Sequence, residues 1–172
     1  MNIHQIGIDY QSEQDRLVVK LNTDQGGVVR LLVTRRFLKL FWSHLVALME
    51  KHVIDEAALS AEAKRAMREM RQEQVLSAAD FRTPFKDAPA AGGALAAPLL
   101  LKAFKLQYKG ANAWFISLIP GDGPSIDLNA PDALLIAVCK LLRDGAGHAG
   151  WGLNLKLFEP TAPLEPERRR IN

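Results

Sequence analysis

The segment 144–152, with the sequence DGAGHAGWG, combines four glycines with two residues that can exchange protons. Glycine lets a backbone approach a ligand closely, and a histidine with a nearby carboxylate can act as a proton-transfer pair. His148 and Asp144 are therefore candidate residues of a ligand or enzyme site. The segment does not follow a predicted strand, as a phosphate-binding glycine loop does. The alternative is that the glycines end a helix and lead into a strand.

Two other groups of reactive residues have a simpler explanation. Cys139, the single cysteine, falls at the edge of an apolar helix stripe, which favours a buried side chain over a nucleophile. His52 and Glu56 are four residues apart, as two metal ligands on a helix are, but no third ligand accompanies them. The sequence therefore predicts no catalytic residue, no metal, no cofactor and no enzymatic activity.

Basic residues gather at two places, which suggests binding to nucleic acid as an alternative function. If the helices that carry them pair, their side chains form one positive surface for phosphates. Three glutamates share the second of these helices, however, and the formal charge of the chain is only +3. A solvated helix face explains the same residues, which are Arg35, Arg36, Lys64, Arg68 and Arg71.

The composition is that of one globular domain. The chain has 172 residues, of which 48% are hydrophobic and 24% charged. Its first residues, MNIHQIGIDYQSEQ, lack the basic and apolar regions of a signal peptide. The most apolar run, Phe37 to Met49, is too short to span a bilayer. We therefore expect a cytoplasmic protein that does not enter membranes.

The first half of the chain predicts three strands followed by two helices. Apolar residues alternate with polar ones between Ile6 and Val33, with turn residues between the runs. Thr34 is placed to cap a helix over 35–53. A second helix, over 60–77, is predicted to form a hairpin with the first, through a line of residues spaced by four and three: Leu59, Ala63, Met67, Met70 and Gln74.

The second half repeats the order of strands and helix. Three alternating segments begin at Leu99, and a helix follows that we expect Asn129 to cap and Gly145 to end. A last strand is predicted over 151–158.

The predicted fold class is α+β. It consists of two antiparallel three-stranded meanders, each followed by helix. The first meander is followed by two helices and a loop, and the second by one helix and a last strand. The helices pack on a sheet face. One domain covers 1–158 and includes a Pro/Ala/Gly-rich loop over 81–98, and a flexible tail follows over 159–172.

The helix over 35–53 has more apolar surface than packing on one sheet face requires. This surplus predicts a non-enzymatic protein-interaction module, a homodimer or a complex with another protein. Aromatic residues in a packed patch often supply most of the binding energy. The predicted contact residues are therefore Phe37, Phe41, Trp42 and Leu45. The alternative is that these side chains fill the core of the protein itself.

Overall fold

The computed structural model describes residues 3–24, 26–52 and 60–157. Six strands form one sheet in chain order: β1 (Ile3–Gln11), β2 (Arg16–Thr23), β3 (Val28–Thr34), β4 (Leu99–Gly110), β5 (Ala113–Pro120) and β6 (Ile126–Pro131). Three helices accompany it: α1 (Arg35–His52) and α2 (Ala61–Ala78) between β3 and β4, and α3 (Asp132–His148) after β6. The predicted fold class, α+β with helices packed on a sheet, is confirmed.

The sheet consists of two antiparallel halves joined by a short parallel contact. β1, β2 and β3 pair antiparallel in sequence, and so do β4, β5 and β6. Only two residue pairs join β3 to β4 in parallel, Leu31 with Leu99 and Leu32 with Leu100. The crossover that parallel pairing requires is supplied by α1, α2 and the loop after them.

One face of the sheet curves around the helices and forms the core. Residues of β2 alternate between buried and half-buried positions, as the period of two predicts, with Leu17, Val19 and Leu21 pointing inward. α1 packs on β3 and β4, whereas α3 contacts both β1 and β6. Since β1 and β6 are the two edges of the sheet, α3 begins at one edge, directly after β6, and packs on the strand at the other edge.

The ends of the helices agree only in part with the sequence. Thr34 Oγ1 accepts the backbone N–H of Phe37 at 3.1 Å, which confirms the predicted cap of α1. The cap predicted at Asn129 is wrong, because this residue lies in β6 opposite Phe115 and α3 begins at Asp132. The stop predicted at Gly145 is also wrong, since α3 continues to His148.

The Pro/Ala/Gly-rich segment lies across the outer face of β1, β2 and β3. Phe85 covers Gly7, where a methyl group would approach the ring to 2.9 Å, and the Lys20 ammonium lies 4.6 Å from the ring centre. Asp87 pairs with Arg30 at 3.2 Å. Val28 continues this attachment, since its N–H donates to Pro89 and its carbonyl accepts from Ala91. The segment therefore packs on the sheet through defined contacts.

The strand predicted over 151–158 is wrong for residues 151–157, which pair with no strand of the described sheet. This segment instead packs on the core through Trp151, Leu155 and Leu157. Trp42 Nε1 on α1 donates to the carbonyl of Lys156 at 3.1 Å. The tail predicted over 159–172 lies outside the described residues. None of the described helices is both long and apolar enough to cross a membrane.

Candidate functional site

The four predicted contact residues of α1 lie inside the core of the protein itself. Phe37, Phe41 and Trp42 are between 4% and 8% exposed, and Leu45 is fully buried. The rings of Phe37 and Phe41 make T-shaped contacts with Phe104 on β4 at centroid distances of 5.6 and 5.3 Å. The aromatic part of the apolar surface of α1 is therefore covered by β4 and by the segment 151–157.

Helix α2 presents an uncharged face to solvent. Ser60 caps the helix by accepting the N–H of Ala63 at 3.2 Å. Met67 and Met70 are 52% and 70% exposed, and the third exposed large apolar side chain of the described residues is Leu40 on α1. We call the "α2 face" the exposed, uncharged residues Ala66, Met67, Met70, Gln74 and Ser77.

The opposite side of α2 is fixed to α3, so the predicted hairpin of α1 and α2 is wrong. Val75 and Leu76 pack against the core. The Arg71 guanidinium contacts the Asp132 carboxylate at 3.1 Å, and this carboxylate also accepts a hydrogen bond from Trp114 Nε1. Asp132 is only 3% exposed and begins α3, where a negative charge suits the helix dipole. One buried carboxylate therefore joins α2, α3 and β5.

The basic residues proposed for nucleic acid do not form one surface through helix pairing. Arg35 and Arg36 begin α1, which packs on the sheet, whereas the other three lie on α2. Arg71 is paired with Asp132, and Lys64 and Arg68 are half-buried. The nucleic-acid hypothesis required α1 and α2 to pair, and in the described part of the chain these two helices do not pack together.

Asp144 and His148 lie one turn apart on α3, and both are exposed. The Asp144 carboxylate accepts from Lys140 and lies 3.7 Å from Arg143, so its partners are lysine and arginine. No hydrogen bond joins it to His148 in the described part of the chain.

Cys139 is fully buried, and burial raises the pKa of its thiol far above the usual range. A thiol in this state is a structural side chain rather than a nucleophile.

Two polar junctions were not predicted from the sequence. One is the contact of Asp132 with Arg71 and Trp114. The other is Asp15, whose carboxylate accepts from Tyr10 Oη at 3.0 Å and from Trp151 Nε1 at 2.6 Å. Aspartate is common at the start of a helix and in turns, where it interacts with nearby backbone groups. The sequence therefore gives no signal that these two carboxylates bind distant side chains.

Neither protein-family models, nor curated proteins, nor solved structures gave a match to this chain. Within the described ranges, no three residues of the types His, Cys, Asp and Glu converge as metal ligands. The predicted pair of His52 and Glu56 lies outside the described side chains, as does Leu59. The function is therefore inferred from the geometry of the fold alone.

Proposed function

We propose that this protein is a non-enzymatic protein-interaction module that forms a homodimer through the α2 face. The observation that carries the proposal is the exposure of Met67 and Met70, at 52% and 70%, on a helix whose other side is fixed to α3. Large apolar side chains that share one exposed face favour a partner that removes them from water. The contact proposed for the helix over 35–53 thereby moves to α2, because the aromatic residues of α1 are already buried.

The spacing of the α2 face supports a second copy of the chain as the partner. Met67, Met70 and Gln74 of this face, together with the half-buried Ala63, follow one another at intervals of four and three, which is the seam of a helix pair. No other helix of the described protomer covers this seam, and a second protomer brings an identical one. A two-fold axis makes such a contact self-complementary.

The charges beside the seam favour one arrangement of the pair. Glu62, Glu69 and Glu73 lie on one side of the seam, and Lys64 lies on the other. A two-fold axis along parallel helices places the acidic side of one copy against the lysine side of its partner. Antiparallel helices instead bring acidic side to acidic side, so charge favours the parallel pair.

The substitution Met70→Glu tests the contact, because it places a charge at the centre of the seam without disturbing the core. We expect the wild-type protein to dimerise weakly, since a single helix pair is a small interface, below roughly 1,200 Å². The variant is expected to remain monomeric at the same concentration. Sedimentation equilibrium over a micromolar concentration series gives the measurement.

Leu40→Glu is the matched control, since it adds the same charge to an exposed apolar position on α1. It is expected to leave the dimer intact. A monomeric wild-type protein at all concentrations would overturn the proposed homodimer. Loss of the dimer with Leu40→Glu but not with Met70→Glu would place the contact on α1 and refute the use of the α2 face.

A further inference from the structure

A groove of about 550 Å³ lies between strand β1, helix α3 and the segment after α2. Apolar side chains form its floor, among them Ile3 and Ile6 of β1 and Leu134 and Val138 of α3. Polar side chains, which include His4 and Lys86, stand at its rim. The volume is within the range of small-molecule sites, roughly 300–1,000 Å³.

A second, smaller space adjoins this groove. It is a cavity of about 80 Å³ between the concave face of the sheet and helices α1 and α3, and only apolar residues line it. Its volume exceeds the roughly 10–15 Å³ that one water needs, but a water inside would find no polar partner. The same four side chains line both spaces: Ile3, Ile6, Leu134 and Val138. These side chains form the boundary that the two spaces share, so a ligand that occupies both must part them and must be apolar and narrow there.

The rim of the groove carries one carboxylate, of Asp80, and one ammonium, of Lys86. The Asp80 carboxylate is occupied by its own turn, where it accepts from Arg82 N at 2.9 Å, Thr83 N at 3.1 Å and Thr83 Oγ1 at 2.5 Å. The Lys86 ammonium forms no ion pair with any described residue. Its backbone is fixed, since Lys86 N–H donates to Gln5 Oε1 at 2.9 Å. A positive charge is thus held at the entrance to an apolar space.

We propose that this groove binds an amphiphile with an unbranched alkyl chain and an anionic head. The alkyl chain lies on the floor between β1 and α3 and extends into the cavity, where it is removed from water. The head stays at the rim beside Lys86. The proposal is independent of the homodimer, because the α2 face lies on the exposed side of α2 and shares no residue with the groove.

Titration of the full chain with decanoate, below the concentration at which decanoate forms micelles, tests the proposal by calorimetry. Saturable binding with one site is expected, and affinity is expected to rise from hexanoate to decanoate as more of the chain is buried. The decrease in affinity with Lys86→Glu is expected to be about tenfold, equivalent to about 1.4 kcal/mol. Decanol, which lacks the charge, is expected to bind equally well to the wild-type and variant proteins.

Lys105→Glu is the matched control, because Lys105 is an exposed lysine on β4 that does not line the groove. Val138→Trp enlarges a side chain at the boundary between the groove and the cavity and is expected to abolish the dependence on chain length, provided that a cooperative melting transition shows that it is folded. The series from hexanoate to decanoate on the wild-type protein keeps the proposal testable if that variant does not fold. Absence of saturable binding would overturn it, and so would equal losses of affinity in Lys86→Glu and Lys105→Glu.

Discussion

Asp15 joins three parts of the chain through a single carboxylate. It takes a left-handed conformation, with φ 48°, in the turn between β1 and β2. Its side chain accepts hydrogen bonds from Trp151 and Tyr10, and these bonds lower the pKa of the carboxyl, with a further contribution from the charge of Arg35. Asp15 therefore does more than form a turn, because its side chain fixes the start of the segment 151–157.

The pKa of Asp15 predicts a specific loss of stability in acid. Because the folded-state pKa is below the ordinary value of roughly 4, the charged carboxylate stabilises the fold at neutral pH. This contribution is lost as the pH falls through the ordinary value to the lowered one. Asp15→Asn keeps a side chain that tolerates the left-handed conformation but removes the charge.

Urea denaturation of wild-type and Asp15→Asn proteins from about pH 7 to about pH 3 measures the difference. The variant is expected to be less stable at neutral pH, and the two curves are expected to converge in acid. Stabilities that differ by the same amount at every pH would contradict a role for the charge.

Helix α3 contains two glycines near its end, and they differ in what surrounds them. A methyl group at Gly145 would lie 3.1 Å from Ile8 Cγ2 and 3.4 Å from Leu17 Cδ2, whereas nothing lies within 4 Å at Gly147. The absence of a side chain at Gly145 therefore allows the helix to approach β1 and β2 closely. Gly145, which we predicted to end the helix, thus lies within α3 at the point where the helix contacts the sheet.

Replacing each glycine by leucine separates packing from helix propensity. Gly145→Leu overfills the contact with β1 and is expected to destabilise the fold by roughly 1–3 kcal/mol. Gly147→Leu adds a good helix former at an open position and is expected to stabilise by about 0.5 kcal/mol. Free energies of unfolding from urea titration give both values. Equal effects at the two positions would show that the contact with Ile8 is unimportant.

In the molecule as a whole, the buried carboxylate of Asp132 holds α2 in place. The contact between Asp132 and Arg71 is an ion pair between α2 and α3, and Val75 and Leu76 of α2 add apolar packing against the core. Removal of the carboxylate also leaves the buried Trp114 Nε1 without its partner. The position of the α2 face, and hence the proposed dimer, depends on this junction.

Asp132→Ala is expected to destabilise the protein by roughly 2–3 kcal/mol, because the buried Trp114 Nε1 loses its acceptor and Arg71 loses its ion pair. Glu69→Ala is the matched control, since it breaks the exposed ion pair of Glu69 with Arg65. The side chains of Arg65 and Glu69 are 39% and 56% exposed. Exposed pairs contribute little, so we expect a change of at most about 0.5 kcal/mol. Hydrogen exchange is expected to show faster exchange of α2 amides in Asp132→Ala alone. Unchanged protection of α2 in that variant would contradict the role of Asp132.

Local patterns in the sequence determined most of the secondary structure. The period of two predicted the six strands of the sheet, and Thr34 marked the start of α1, because alternation and capping depend on residues a few positions apart. The same reasoning failed at Gly145 and over 151–157. There a contact with another element, rather than a local preference, sets the conformation.

What covers each apolar face was decided only by the tertiary structure. The sequence showed that α1 has surplus apolar surface, but not which residues contact it. Phe104 packs on Phe37, and Trp42 donates a hydrogen bond to the carbonyl of Lys156, 114 residues away. Likewise, the spacing of Met67 and Met70 predicted a seam on α2, and the packing of α2 on α3 leaves that seam in solvent. Periodicity shows which residues avoid water, whereas the partner of each face depends on contacts between residues far apart in the chain.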